Sequence, residues 1–130
     1  MKSLVVDDSD SARVVLENLL APYGPCDQAA DGRTGVEMFR RALDSGQPYD
    51  LVCLDIVMPE MDGQTALKEI RACEAARGLW AGREVKVLMT TVVDDPDQVL
   101  EALTEGIEAY LVKPLGREKF IKALEELGLA

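Results

Sequence analysis

The chain alternates short apolar segments with amphipathic helical segments along its whole length. Short apolar runs bounded by turn residues are typical of strands that are buried on both faces of a sheet. Five such runs are present, the second weaker than the others, at residues 4–6, 26–30, 51–54, 85–89 and 109–112. Strands that alternate with helices predict an α/β fold, here a single (βα)5 domain over residues 1–130 with a central five-stranded parallel sheet.

The helical segments carry apolar residues three and four positions apart, so each has one apolar face. Asp95 and Pro96 are a typical N-cap and first-turn pair and predict the start of the fourth helix, with Gly106 as its C-terminal cap. The predicted inward-facing residues are, helix by helix, Ala12, Val15, Leu16, Leu19 and Leu20; Val36, Phe39 and Leu43; Ala66, Leu67, Ile70 and Cys73; Val99, Leu100 and Leu103; Phe120, Ile121, Leu124 and Leu127.

Composition excludes several classes of function. The 130 residues include 14 basic and 24 acidic ones, for a net charge of −10, so we expect no attraction to nucleic acid or to anionic membranes. The absence of histidine excludes His-ligated metals, Ser-His-Asp catalysis and a phosphohistidine in this chain. Three dispersed cysteines and the lack of a long apolar stretch favour a reduced, cytoplasmic location.

Polar side chains gather where the predicted strands end. In open parallel sheets, ligands bind beyond the carboxyl ends of the strands. An aspartate in such a place is often only a helix cap or a turn residue. Here four strand ends carry polar groups together, which favours a site over isolated caps. The residues are Asp7 and Asp8, Asp55, Thr90 and Thr91, and Lys113.

This set of groups indicates a particular chemistry. Clustered carboxylates repel one another unless a cation lies among them. Oxygen ligands without histidine or cysteine select Mg²⁺. Mg²⁺ and a lysine neutralise the charge on a phosphoryl group, and an aspartate can attack phosphorus to form an acyl phosphate.

Three motifs carry a resemblance to a known family. They are Val-Val-Asp-Asp-Ser at 5–9, Leu-Asp-Ile-Val-Met-Pro-Glu-Met-Asp-Gly at 54–63, and Tyr-Leu-Val-Lys-Pro-Leu at 110–115. Asp55 follows Asp8 by 47 residues and precedes Lys113 by 58. In this order and spacing the chain resembles the receiver domains of two-component response regulators, and in particular the stand-alone, CheY-type receivers.

The resemblance implies a fold and a role for each site residue. The strand order would be flavodoxin-like, 2-1-3-4-5. Asp55 would be the phosphoacceptor and would bind Mg²⁺ together with Asp8 and the main-chain carbonyl of Val57, while Asp7 would hold the metal through water. Lys113 would pair with the phosphoryl oxygens, and its bond to Pro114 would be cis.

The resemblance also implies a conformational switch. The family's usual spacing from Lys113 favours Thr91 as the switch hydroxyl, although Thr90 is adjacent, and Tyr110 would turn inward when the threonine moves. Val92 stands where the family usually has a smaller residue and could narrow access to the site. Val57 and Val93 cannot orient a water molecule by hydrogen bonding, so we predict slow self-dephosphorylation.

As a receiver, the chain would be a phosphoacceptor that assists its own phosphorylation and not an enzyme acting on a separate substrate. The phosphoryl group would come from a histidine kinase. With no output domain expected, the signal would pass to a protein target through the face made by the fourth helix, the fifth strand and the fifth helix. That region is acidic, which favours a basic partner; its acidic residues are Asp94, Asp95, Asp97, Glu101 and Glu105.

Chemotaxis is the expected pathway, and a phosphorelay intermediate that passes the group to a histidine phosphotransfer protein is the alternative. An aspartyl-phosphate phosphatase is disfavoured because Val57 replaces the second acid such enzymes need. Flavin binding is disfavoured because the acidic loop at residues 7–11 would repel a phosphate. An unphosphorylated scaffold is the remaining possibility.

Overall fold

The computed structural model describes residues 1–58, 60–79, 83–91, 97, 101, 104 and 106–130. Five parallel strands form one sheet in the order β2-β1-β3-β4-β5, so the predicted topology is confirmed. The strands are β1 (Ser3–Val6), β2 (Cys26–Ala29), β3 (Leu51–Asp55), β4 (Lys86–Thr91) and β5 (Ala109–Val112).

Helices cover both faces of this sheet. They are α1 (Asp10–Leu20), α2 (Gly32–Asp44), α3 (Gly63–Ala76) and the C-terminal helix (Arg117–Glu126), and a short 3-10 turn at Ala21–Tyr23 follows α1. The predicted start and apolar face of the fourth helix, from Asp95 to Leu103, lie outside the described residues, although Asp97, Glu101 and Thr104 are helical.

Side chains alternate between two apolar layers, as the pleat of a strand requires. In β4, Val87 and Met89 belong to the layer that contains α2 and α3, whereas Leu88 belongs to the layer that contains α1 and the C-terminal helix. The central strand β3 follows the same rule, with Leu54 in the first layer and Cys53 in the second. The alternation therefore assigns a face to each residue at the strand ends.

Aspartate and serine side chains cap three helices at the carboxyl edge of the sheet. Ser9 accepts the Ala12 N–H at the start of α1, Asp31 accepts the Thr34 N–H at α2, and Asp62 accepts the Thr65 N–H at α3. Capping of this kind satisfies amide groups that have no partner within the helix. Asp31 and Asp62 are thus structural residues, distinct from the carboxylates of the site.

The sequence prediction that Val15 lies in the core is wrong. The apolar spacing of α1 places Val15 in the core, but its side chain is 44% exposed, and Ala12 is half-buried. Leu16, Leu19 and Leu20 are buried as predicted. The sheet buries only part of the apolar stripe of α1, and the N-terminal part of that stripe lines a cleft.

Gly63 brings α3 close to the end of β3, and we predict that Gly63→Ala destabilises the protein. An added Cβ would lie 2.2 Å from the main-chain oxygen of Asp55 and 2.8 Å from the Cα of Ile56. Since backbone atoms have to move, the free energy of unfolding should fall by about 2 kcal/mol or more in urea denaturation. Gly116→Ala is the matched control, because a Cβ there meets nothing within 4 Å. Equal stability of the two variants would contradict this packing.

Candidate functional site

Four strand ends meet at one edge of the sheet and form the candidate site. Asp7 directly follows β1, Asp55 is the last residue of β3, and Thr91 is the last residue of β4. Lys113 follows β5, and its N–H donates to the main-chain oxygen of Thr91 at 2.6 Å. The Lys113–Pro114 peptide bond is cis, as predicted.

A buried ion pair connects the segment that follows β1 to the segment that follows β5. The Lys113 ammonium lies 2.5 Å from Oδ2 of Asp7, whose side chain is fully buried, and 3.6 Å from Oδ2 of Asp55. The other Asp7 oxygen accepts the Ser9 N–H at 2.9 Å. The Arg13 guanidinium donates to the main-chain oxygen of Asp7 at 2.6 Å. Asp7 is therefore held in one orientation from several sides.

The predicted acidic cluster is present. One carboxylate oxygen each from Asp7, Asp8 and Asp55 can be chosen so that all three lie within 4.8 Å of one another. Asp8 is exposed, whereas Asp7 and Asp55 are buried. Among the described residues, one ammonium contacts this cluster, so three ionised carboxylates leave two negative charges without a partner. All of these donors are oxygen atoms, and the two unpaired negative charges match the charge of a divalent cation, so the cluster fits Mg²⁺.

Burial and the crowding of carboxylates change the pKa of Asp55. This pKa is raised to about 6, chiefly by burial and also by the nearby Asp7 and Asp8 carboxylates, while Lys113 and the Val57 N–H act in the opposite direction. Desolvation and like charge both disfavour the ionised form. The ionised Asp55 side chain is thus under electrostatic stress that a cation would relieve.

A cavity of about 610 Å³ opens over these residues. Its walls include the three aspartates, Lys113 and Val57, which brings the predicted phosphoacceptor, metal ligands and lysine into one space. The side chain of Val57 is 50% exposed there. The remainder of the rim is largely apolar and comes from α1 and the segment after β5: Ala12, Val15, Pro114 and Leu115.

The sequence does not predict this rim or the role of Arg13. Val15 shares the spacing of core residues, and no pattern in α1 separates a rim position from a buried one. Arg13 lies four residues after the Ser9 cap, and it also pairs with the Asp10 carboxylate. No sequence signal distinguishes such an arginine from an ordinary surface residue.

The two adjacent threonines lie on opposite faces of the sheet. Both are fully buried. Thr90 is the register partner of Asp55 and continues the layer of Leu88, whereas Thr91 continues the layer of Val87 and Met89. Tyr110 pairs with Met89 and so shares the face of Thr91, with its side chain 38% exposed. Val92 and Val93 lie outside the described residues.

Comparisons with known proteins identify the family. The family model for the response regulator receiver domain matches residues 3–125. The chain therefore belongs to the response regulator receiver domain family. Within the described ranges, no helix is long and apolar enough to cross a membrane.

Individual relatives are of the CheY type. The chain is 35% identical over 133 residues to chemotaxis protein CheY-3 of Vibrio cholerae, with 98% of this chain and 94% of that protein covered. It is 30% identical over 125 residues to chemotaxis protein CheY of Bacillus subtilis, with coverage of 95% and 93%. The crystal structure of a CheX–CheY–BeF3–Mg²⁺ complex from Borrelia burgdorferi matches with a TM-score of 0.85 and 27% identity, covering 100% of this chain and 90% of that one.

We predict that Asp55→Asn stabilises the metal-free protein in a pH-dependent way. The folded-state pKa of about 6 lies above the usual value of about 4, so the folded state binds more protons than the unfolded state in this range. Stability from Asp55 is thus lost as pH rises through that window. Removing the charge should raise the free energy of unfolding by roughly 1–3 kcal/mol above pH 6, and the gain should vanish towards pH 4.

Chemical denaturation at a series of pH values in EDTA checks this prediction. Glu125→Gln is the control, because it removes an exposed carboxylate on the last turn of the C-terminal helix. A gain for Asp55→Asn that does not depend on pH would contradict the proposed electrostatic stress on this residue.

Proposed function

We propose that this chain is a response regulator that accepts a phosphoryl group on Asp55 from a histidine kinase. The reaction would require Mg²⁺, and the phosphorylated chain would signal through a change of its surface. The observation that carries this proposal is the convergence of three carboxylates within 4.8 Å with the Lys113 ammonium 3.6 Å from Asp55. Family membership supports it independently.

The metal would be held by the acidic cluster. Asp8, Asp55 and the Val57 main-chain carbonyl would be direct ligands, and Asp7 would act through water. The full burial of Asp7 against Lys113 supports this division, because its Oδ2 already accepts a close charged partner. Bound Mg²⁺ would neutralise negative charge on the phosphoryl oxygens. The Borrelia burgdorferi relative was crystallised with Mg²⁺ and BeF3.

Asp55 would act as the nucleophile. An oxygen of its carboxylate would form a bond to phosphorus while the bond from phosphorus to the donor nitrogen breaks, and the electron pair would leave with the donor. Lys113 would pair with the phosphoryl oxygens, since its ammonium already reaches both buried carboxylates. The chain would thus assist its own phosphorylation without being an enzyme for a separate substrate.

Phosphorylation would bias a switch on the opposite face of the sheet. Thr91 would move towards the phosphoryl group and Tyr110 would turn inward. Their shared face and the partial exposure of Tyr110 support this coupling. The target would dock on the face that includes β5 and the C-terminal helix. Asp97 and Glu101, in the fourth helical segment that the proposed docking face includes, are exposed, which favours a basic partner.

Chemotaxis is the pathway that the relatives favour, since proteins similar to this chain in sequence include chemotaxis proteins named CheY. We also propose that the acyl phosphate is hydrolysed slowly. Val57 lines the cavity, and its side chain offers no hydrogen bond to an attacking water molecule. A half-life of only seconds for the phosphorylated protein would contradict slow hydrolysis without affecting the rest of the proposal.

Intact-protein mass spectrometry after incubation with phosphoramidate tests the proposal. We expect one phosphoryl adduct that forms with Mg²⁺ and is absent in EDTA. Asp55→Asn should abolish the adduct, and Asp50→Asn, at the opposite end of β3, should retain it. Failure of the wild-type chain to form an adduct with phosphoramidate and with an autophosphorylated histidine kinase would overturn the proposed function.

The apolar rim predicts a difference between protein and small-molecule donors. A donor protein has to cover the rim to reach Asp55, whereas phosphoramidate does not. Val15→Gln should slow phosphoryl transfer from an autophosphorylated histidine kinase by about fivefold or more, as expected for a contact near the centre of an interface. The rate with phosphoramidate should stay within about twofold.

Val14→Gln is the matched control for this comparison. Val14 is also on α1 and is 53% exposed, but it does not line the cavity. Radiolabel transfer assays measure both rates. Equal effects of the two substitutions on the kinase reaction would show that the rim does not contact the donor.

A further inference from the structure

Thr90 holds a hydroxyl group that has no hydrogen-bond partner among the described residues. Its side chain is fully buried, and its Oγ1 is shielded from solvent. A buried hydroxyl without a partner costs free energy, and a valine would fill nearly the same space without that cost. A polar residue at this position therefore needs an explanation beyond packing.

The position of Thr90 indicates which group its hydroxyl can contact. It is the direct register partner of Asp55 on the neighbouring strand, and the Ile56 N–H donates to its main-chain oxygen at 3.3 Å. The preceding partners on the same face, Cys53 and Leu88, both lie in the layer of α1 and the C-terminal helix. Adjacent strands are about 4.8 Å apart, so a hydroxyl and a carboxylate on paired residues can meet.

On β5, the described strand neighbour of Thr90 on this face is apolar. This neighbour is Leu111, which packs against the same layer as Leu88. Asp55 is the polar residue that Thr90 faces across the β3–β4 strand pair.

We propose that Thr90 is a positioning residue for the phosphoacceptor, an inference that rests on the proposed function. Its hydroxyl donates a hydrogen bond to one oxygen of the Asp55 side chain when the cleft is loaded. That oxygen is the one that does not bond to phosphorus, so the hydrogen bond orients the other oxygen towards the donor. In the structure the Asp55 side chain lies 3.6 Å from the Lys113 ammonium and accepts a hydrogen bond from the Val57 N–H, and the Thr90 hydroxyl has no hydrogen-bond partner among the described residues.

Beryllofluoride with Mg²⁺ is the probe that tests this proposal, since it adds to an aspartate carboxylate as a phosphoryl mimic. The affinity of wild-type protein, Thr90→Val and Thr90→Ser can be measured by calorimetry. We expect Thr90→Val to bind about fivefold more weakly, the effect of one hydrogen bond. Thr90→Ser, which keeps the hydroxyl, should bind within about twofold of wild type.

Thermal unfolding without Mg²⁺ separates positioning from a structural role. Thr90→Val should have a higher Tm than wild type when metal-free, because it removes an unpaired hydroxyl, and a smaller gain in Tm when beryllofluoride is added. Stability and affinity would then move in opposite directions. A purely structural threonine would change the Tm without changing the affinity.

Each of the other results would contradict a specific claim. Wild-type affinity in Thr90→Val, or an equal loss in Thr90→Ser, would overturn the role of Thr90 alone. A lower metal-free Tm in Thr90→Val with unchanged affinity would show that the hydroxyl bonds to the backbone. A wild-type chain that binds no beryllofluoride would overturn the proposed function, and this inference with it.

Discussion

The ion pair between Lys113 and Asp7 is the interaction on which the arrangement of the site depends. It joins residues 106 positions apart, one after the first strand and one after the last. A fully buried carboxylate is stable only with a close countercharge and hydrogen bonds, and Asp7 has both. Lys113 lies closer to Asp7 than to Asp55. The negative charge of Asp55 is therefore only partly neutralised, so a bound cation would stabilise it.

The sequence predicts most of the fold because the relevant signals are local. Parallel strands buried on both faces are continuous apolar runs, and the helices between them have a clear apolar stripe. Once the sheet is parallel, the carboxyl ends of its strands share one edge, so the sequence alone predicts that Asp8, Asp55 and Lys113 converge. The strand order itself came from the family resemblance and not from these patterns.

The remaining features depend on contacts between distant segments. Val15 has the spacing of a core residue, but its side chain is exposed and lines the cavity together with residues of the segment after β5. The face that each threonine occupies follows from the register of β4 against β3, which apolar spacing does not specify. The closer pairing of Lys113 with Asp7 than with Asp55 likewise depends on a difference of about an ångström between the two distances.

The measurement that tests the central claim most directly is the location of the phosphoryl group. Borohydride reduction converts an aspartyl phosphate to homoserine, and tandem mass spectrometry of the digested protein then identifies the modified position. After reaction with phosphoramidate and Mg²⁺, we expect homoserine at position 55 and nowhere else in the chain. Homoserine at position 7 or 8, or unmodified Asp55 in a protein that carries a phosphoryl group, would contradict the assignment of Asp55 as the phosphoacceptor.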